Sequence, residues 1–119
     1  MAASYSDTRL FNVPVQAMIN LFRSPFFISS LRYKFNGEYP SPYYTVFNFT
    51  HGVSLASWGE KITVNVSVLQ NNTVSVTVTS ECSESFQFVD WGKNNDNVHA
   101  IFTFIYTHIG GFVNALGQM

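Results

Sequence analysis

Residues 61–80 read KITVNVSVLQNNTVSVTVTS. Ile62, Val64, Val66 and Val68 alternate with polar residues, and so do Val74, Val76 and Val78. A period of two belongs to strands with one buried face. The amides between the two runs mark a turn, so the stretch reads as an antiparallel hairpin. Directly opposed residues of such a pair share a face. Setting Val68 against Val74 and Val66 against Val76 requires an odd loop. A tight two-residue turn at Asn71-Asn72 would set Val68 against Ser75 and mix the faces. The spacing predicts a three-residue loop, Gln70 to Asn72, with Asn72 left-handed at the bulge position.

Outward from this hairpin the pattern changes twice. On the N-terminal side, residues 4–12 predict a first strand, with Arg9, Phe11 and Val13 on one face and Thr8 and Leu10 on the other. NVPVQAMINLFRSP, residues 12–25, predicts a short helix. Pro14 suits its first turn, Pro25 stops it, and Val15, Met18, Ile19 and Phe22 form one apolar stripe. FFISSLRYKF (26–35) returns to a period of two, with Leu31, Tyr33 and Phe35 on one face. NGEYPSP (36–42) reads as a turn. YYTVFNFTHGVSL (43–55) reads as a strand whose inner face holds Phe47, Phe49, Val53 and Leu55. His51 falls on that face, and Gly52 is a candidate bulge that would turn it outward.

On the C-terminal side, SFQFVD (85–90) predicts a last short strand. From Val98 onward, Ile101, Phe102, Ile105, Ile109 and Phe112 make a helical stripe that Phe104, Val113 and Leu116 widen. Gly110-Gly111 weakens this helix. The expected class is α+β: one antiparallel sheet of five to six strands, a short N-terminal helix, and a long C-terminal helix across the sheet's apolar face. Residues 1–119 make a single domain.

Composition narrows the function classes. Apolar residues make up 46% of the chain and charged residues 11%, with 12 phenylalanines and a net charge of −1. Basic residues form no run, so the electrostatic footprint of a nucleic-acid binder is missing. Cys82 is the only cysteine, which excludes an internal disulfide and a CxxC pair. No continuous apolar run reaches membrane-spanning length, no signal peptide is recognised, and a cytoplasmic location is expected. Three Asn-x-Ser/Thr triplets, at Asn48, Asn65 and Asn71, are read as chance in a chain rich in Asn and Thr.

No catalytic constellation is legible. There is no G-x-S-x-G elbow and no phosphate-binding glycine loop. His99 and His108 stand nine residues apart on the last helix, half a turn out of register, and cannot share a metal there. No cofactor and no metal is expected.

Two Trp-Gly pairs stand out: SWGEK at 57–61 and DWGKNNDNVHAIF at 90–102. The second is explained as a helix start. Asn94, Asn95 and Asp96 are capping residues, Gly92 permits the sharp turn, and Trp91 can lie on the helix end as a staple. A second reading brings Trp58, Glu60, Asp90, Trp91 and Lys93 together at one corner. Ring faces and opposite charges there would hold a small polar or aromatic ligand. The two motifs, SWGE before an alternating hairpin and DWGKN before a terminal helix, resemble those of a group of small bacterial proteins over roughly residues 13 to 109. The resemblance implies this architecture and carries no established activity. The chain departs from the group by its Phe-rich, weakly charged last helix. The strand order is also similar to the helix-grip folds of lipid and hormone carriers.

Two non-catalytic functional classes follow, and an enzyme is the third alternative. One is a non-catalytic binding or interaction module. The other is a carrier with an apolar cavity between sheet and last helix, lined by Phe35, Phe47, Phe49, Phe102 and Ile105. The sheet is expected to cover Ile101, Phe102, Ile105 and Ile109 but not Phe104 and Tyr106. These two would form an outer aromatic strip for a homodimer or a protein partner, the alternative being that the first helix or the N-terminal segment folds over the strip within one molecule.

Overall fold

The computed structural model describes residues 3–52, 59–70, 72–83 and 92–117. The expected strand at 85–90 lies outside them, as do Val53 and Leu55. In chain order the elements are β1 (Ser4–Phe11), α1 (Val15–Arg23), α2 (Pro25–Leu31), β2 (Tyr33–Pro40), β3 (Tyr44–His51), β4 (Glu60–Gln70), β5 (Thr73–Cys82) and α3 (Lys93–Gly117). The strands form one antiparallel five-stranded sheet in the order β1-β5-β4-β3-β2. Four strands run as a meander and the first returns to pair with the last. The helices lie on the sheet's apolar face, so the fold is α+β, with α3 across the sheet.

The β4–β5 hairpin keeps the faces as its sequence demands. Val68 opposes Val74 and Val66 opposes Val76, and Asn72 is left-handed at φ 55°. The loop is shorter than expected. Gln70 already pairs with Thr73, and the register shift falls between Val68 and Gln70. A bulge at Leu69 therefore supplies the odd residue that a longer loop was predicted to supply.

The largest departure is at residues 25–31. Read as the start of a strand, they form the helix α2. Ser24 caps it, its Oγ accepting the Phe26 N–H at 3.2 Å, and Pro25 follows at the first position. Ser-Pro is a helix-start signature as much as a stop for the helix before it. Arg32 closes α2 in the left-handed region at φ 59°. Leu31 thus belongs to a helix, and only Tyr33 and Phe35 of the expected face lie on β2. Residues 36–40, expected as a turn, continue β2 past a bulge between Phe35 and Gly37.

Phe27 on α2 is the hub of the core. Its ring lies 5.0 Å from Phe22, 5.3 Å from Phe49, 5.2 Å from Phe104 and 5.8 Å from Tyr33. This corrects the reading of Phe104. The sheet does not cover it, but Phe26 and Phe27 of α2 do, and it is only 6% exposed. Tyr106 is 58% exposed, as expected, though its ring leans on Phe11 at 5.3 Å. Arg9 does lie on the apolar face of β1, with its guanidinium 4.4 Å above the Phe102 ring.

Gly110 and Gly111 do not end α3, which runs to Gly117. By length and composition alone α3 could cross a membrane, with a mean hydropathy of 1.3 in its most apolar 18-residue window. Here its first half is core: Val98, Ile101, Phe102, Phe104 and Ile105 are all buried.

Candidate functional site

At one end of the sheet a single transverse row crosses all five strands on the inner face. Tyr33 pairs with His51, His51 with Glu60, and Glu60 with Cys82. The Cys82 N–H donates to the Ala3 carbonyl at 2.9 Å, which extends the row to β1. The strand period places these side chains inward. Glu60 precedes Ile62 by two, Ser80 and Cys82 continue the Val74–Val78 series, and His51 continues Phe47 and Phe49. The hydrophobic faces therefore end in polar groups.

The first turns of α3 lie over this row. Asn94 and Asn97 are three residues apart, so both project from one side of the helix. The Asn97 amide Nδ2 donates to Glu60 Oε1 at 2.9 Å and to Ser80 Oγ at 3.1 Å. The Ser80 hydroxyl donates to Asn94 Oδ1 at 2.8 Å, and Asn94 Nδ2 donates to the Ala3 carbonyl at 3.0 Å. The same nitrogen lies 3.6 Å from Cys82 Sγ. The Tyr33 hydroxyl reaches the Asn97 carbonyl at 3.5 Å. Asn94, expected to cap α3, lies inside its first turn and ties the helix to β5 and to Ala3, the residue before β1.

Glu60 is the centre of the network, at 3% exposure. A carboxylate so deeply buried needs strong donors. It has Asn97 on one side and His51 Nδ1 at 3.1 Å on the other. The His51 side chain remains 36% exposed and its ring meets Tyr33 edge-on at 5.3 Å. Gly52 is left-handed, at φ 60°, but His51 is not turned out to the other face. Holding Nδ1 against Glu60 fixes the tautomer and directs Nε2 away from the carboxylate. Burial, and then the Glu60 charge, push the Tyr33 phenol above its ordinary value.

The glycine of SWGE has a definite task here. Gly59 is left-handed at φ 82°, and a Cβ at that position would come within 2.0 Å of the Gly52 carbonyl oxygen. The turn into Glu60 therefore admits no side chain. Gly92 is also left-handed, at φ 81°.

Of the ligand corner expected from the sequence, Trp58, Asp90 and Trp91 lie outside the described residues. Glu60 is at the site but beneath α3, with His51 and Asn97 as its partners. Lys93 opens α3 and is exposed. Sequence reasoning missed His51, Ser80, Asn94 and Asn97 as a unit. Strand parity pointed to the first two, and the three-residue Asn spacing to the others. Of the proposed cavity lining, Phe47, Phe49, Phe102 and Ile105 are buried side chains of the packed core, and Phe35 is 45% exposed on β2. Phe22, Phe47 and Phe49 fill the layer with centroids 5.5 and 6.4 Å apart in sequence. Among the described residues no three His, Cys, Asp or Glu side chains converge to hold a metal. Compared with known proteins, the chain matches no family model and no curated sequence.

Proposed function

We propose that this chain is a small non-catalytic binding module and that it takes its ligand at the His51–Glu60 corner. The observation that carries the reading is a half-exposed imidazole held by a buried carboxylate. Such an imidazole offers Nε2 as a fixed hydrogen-bonding group, with the edge-on Tyr33 ring beside it. A small polar or aromatic ligand suits that pair of features. The hydroxyl and thiol of the same network argue against nucleophilic chemistry. Ser80 and Cys82 are buried behind Glu60, where an incoming substrate does not reach them. The filled layer between sheet and helices favours a binding module over an apolar carrier. The SWGE and DWGKN motifs support, as part of the same proposal, kinship with the small bacterial proteins they resemble.

The test is an NMR titration that follows the His51 ring nitrogens while small aromatic acids and aromatic amines are added. At least one probe should move the His51 signals, and His51→Ala and Glu60→Gln should abolish its binding with the fold intact. Probes that bind elsewhere and leave His51 unmoved would overturn the reading.

A further inference from the structure

Among the described residues the sheet has two edges, β1 and β2, and they are built differently. The β2 edge carries a bulge between Phe35 and Gly37, ends in Pro40, and bears Lys34. All three are devices that keep another strand from docking. The β1 edge has none of them. Its eight residues, SYSDTRLF, pair with β5 one for one without a register shift, and contain no proline, glycine or lysine.

The direction of its free backbone groups follows from the ladder. Ala3 accepts the Cys82 N–H, so the odd-numbered residues of β1 bond to β5. The even-numbered ones, Ser4, Ser6, Thr8 and Leu10, turn N–H and C=O to the open side. Thr8 confirms this alternation. Its N–H is held by the side chain of its own neighbour, Asp7 Oδ1, at 2.9 Å.

The side chains of β1 are self-complementary about Thr8. Asp7 and Arg9, its only charged residues, flank Thr8 symmetrically. A second β1 laid antiparallel with Thr8 opposite Thr8 sets each Asp7 against the other copy's Arg9. It also sets each Tyr5 against the other copy's Phe11, and each Ser6 against the other Leu10. Tyr5 and Leu10 are 41% and 63% exposed in the single chain. Phe11 already stacks with Tyr106, so an incoming Tyr5 would join an existing aromatic pair.

We propose that a second copy of this chain docks along β1, antiparallel about Thr8, joining two five-stranded sheets into one of ten strands. In the single chain Asp7 bonds to the Thr8 N–H and to Arg9 Nε at 3.1 Å. In the dimer the Thr8 carbonyls take the Thr8 N–H groups, and each Asp7 carboxylate pairs with the opposite Arg9. The interface is isologous, as a two-fold axis requires. The low net charge of −1 leaves little repulsion to oppose it.

Sedimentation velocity and equilibrium of the full chain test this. The wild type should sediment as a dimer at micromolar concentration. Thr8→Pro should be monomeric and still folded, because the lost N–H faces away from β5. Asp7→Lys places like charges opposite each other twice, and should weaken the dimer at least about tenfold. The double reversal Asp7→Arg with Arg9→Asp should restore it, which keeps the proposal testable if the proline variant fails to fold. A wild type that stays monomeric to high micromolar concentration would overturn the proposal. So would a dimer that Asp7→Lys leaves unchanged.

Discussion

The interior has two regions held by different forces. Its centre is a cluster of rings, Phe22, Phe27, Phe47, Phe49 and Phe102, all at most 1% exposed. The end under the start of α3 is a chain of hydrogen bonds through His51, Glu60, Asn97, Ser80 and Asn94. The ring cluster gains from the area it removes from water, with little demand on direction. The polar chain gains little net free energy from being made, but each broken link leaves a buried group unsatisfied. The first region mainly supplies stability. The second sets where α3 begins relative to the sheet and orients the imidazole.

The largest effect should come from the ring cluster. Phe27→Ala removes the hub that contacts four rings and should cost about 3–5 kcal/mol in denaturant unfolding. Phe27→Leu should cost clearly less. If the two cost the same, ring geometry rather than buried volume dominates the centre.

The polar end should behave differently. Asn97→Leu takes one donor from Glu60 and should cost about 1–3 kcal/mol. Adding Glu60→Leu to the same chain should cost less than the sum of the two single changes, because no charge then remains stranded. Additive losses would mean that Glu60 and Asn97 are not coupled. Gly59→Ala should cost at least about 1–2 kcal/mol for the left-handed backbone alone, before the clash with the Gly52 carbonyl is added.

Tyr33 joins the two regions, with its ring among the phenylalanines and its hydroxyl near Asn97. Burial first, and then Glu60, raise its ionisation in the folded state. The neutral phenol is thus favoured by folding. Its contribution is complete below the ordinary tyrosine value, about 10, and is lost as pH rises beyond it. Wild-type stability should fall above that pH, and Tyr33→Phe should fall less steeply. Equal slopes in alkaline denaturation would detach Tyr33 from the effect.

The smallest effect is at the surface. Arg23 grips Glu38 at 2.8 and 2.7 Å, and that hydrogen bonding holds the Glu38 carboxyl below its ordinary value. A lowered acid stabilises above its unfolded value and stops doing so as pH falls through the folded one. Arg23→Gln should therefore cost less than about 1 kcal/mol at neutral pH and nothing in strong acid. A cost that persists in acid would point to packing by the arginine stem instead.

Much of this arrangement was legible in the chain, and the misses have physical causes. Alternation over residues 62–68 and 74–78 identified the hairpin and its faces, because strand side chains must alternate whatever lies beyond them. The same parity put His51 on the inner face, where it stays although a bulge at Gly52 was expected to turn it out; carried two residues further along each strand, it also reaches Glu60 and Ser80, whose polarity argued for solvent. The glycine pair expected to weaken α3 does not interrupt it, since tertiary packing on the first half of that helix outweighs a local propensity of about 1 kcal/mol per glycine.

The sequence by itself determined the class of most elements, the face each one buries, and the left-handed turn at Asn72. Period and turn chemistry are local, so one strand or helix suffices to set them. Only the tertiary structure decided that residues 25–31 form a helix, that this helix covers Phe104, and that Glu60 lies between His51 and Asn97. Each of these depends on what stands opposite in space. A short apolar run such as FFISSL satisfies either period, and the choice fell to the form that drives Phe27 into the ring cluster. An acidic residue at a strand start is equally at home in water, until Asn97 of a distant helix and His51 of the neighbouring strand supply the partners that allow its burial.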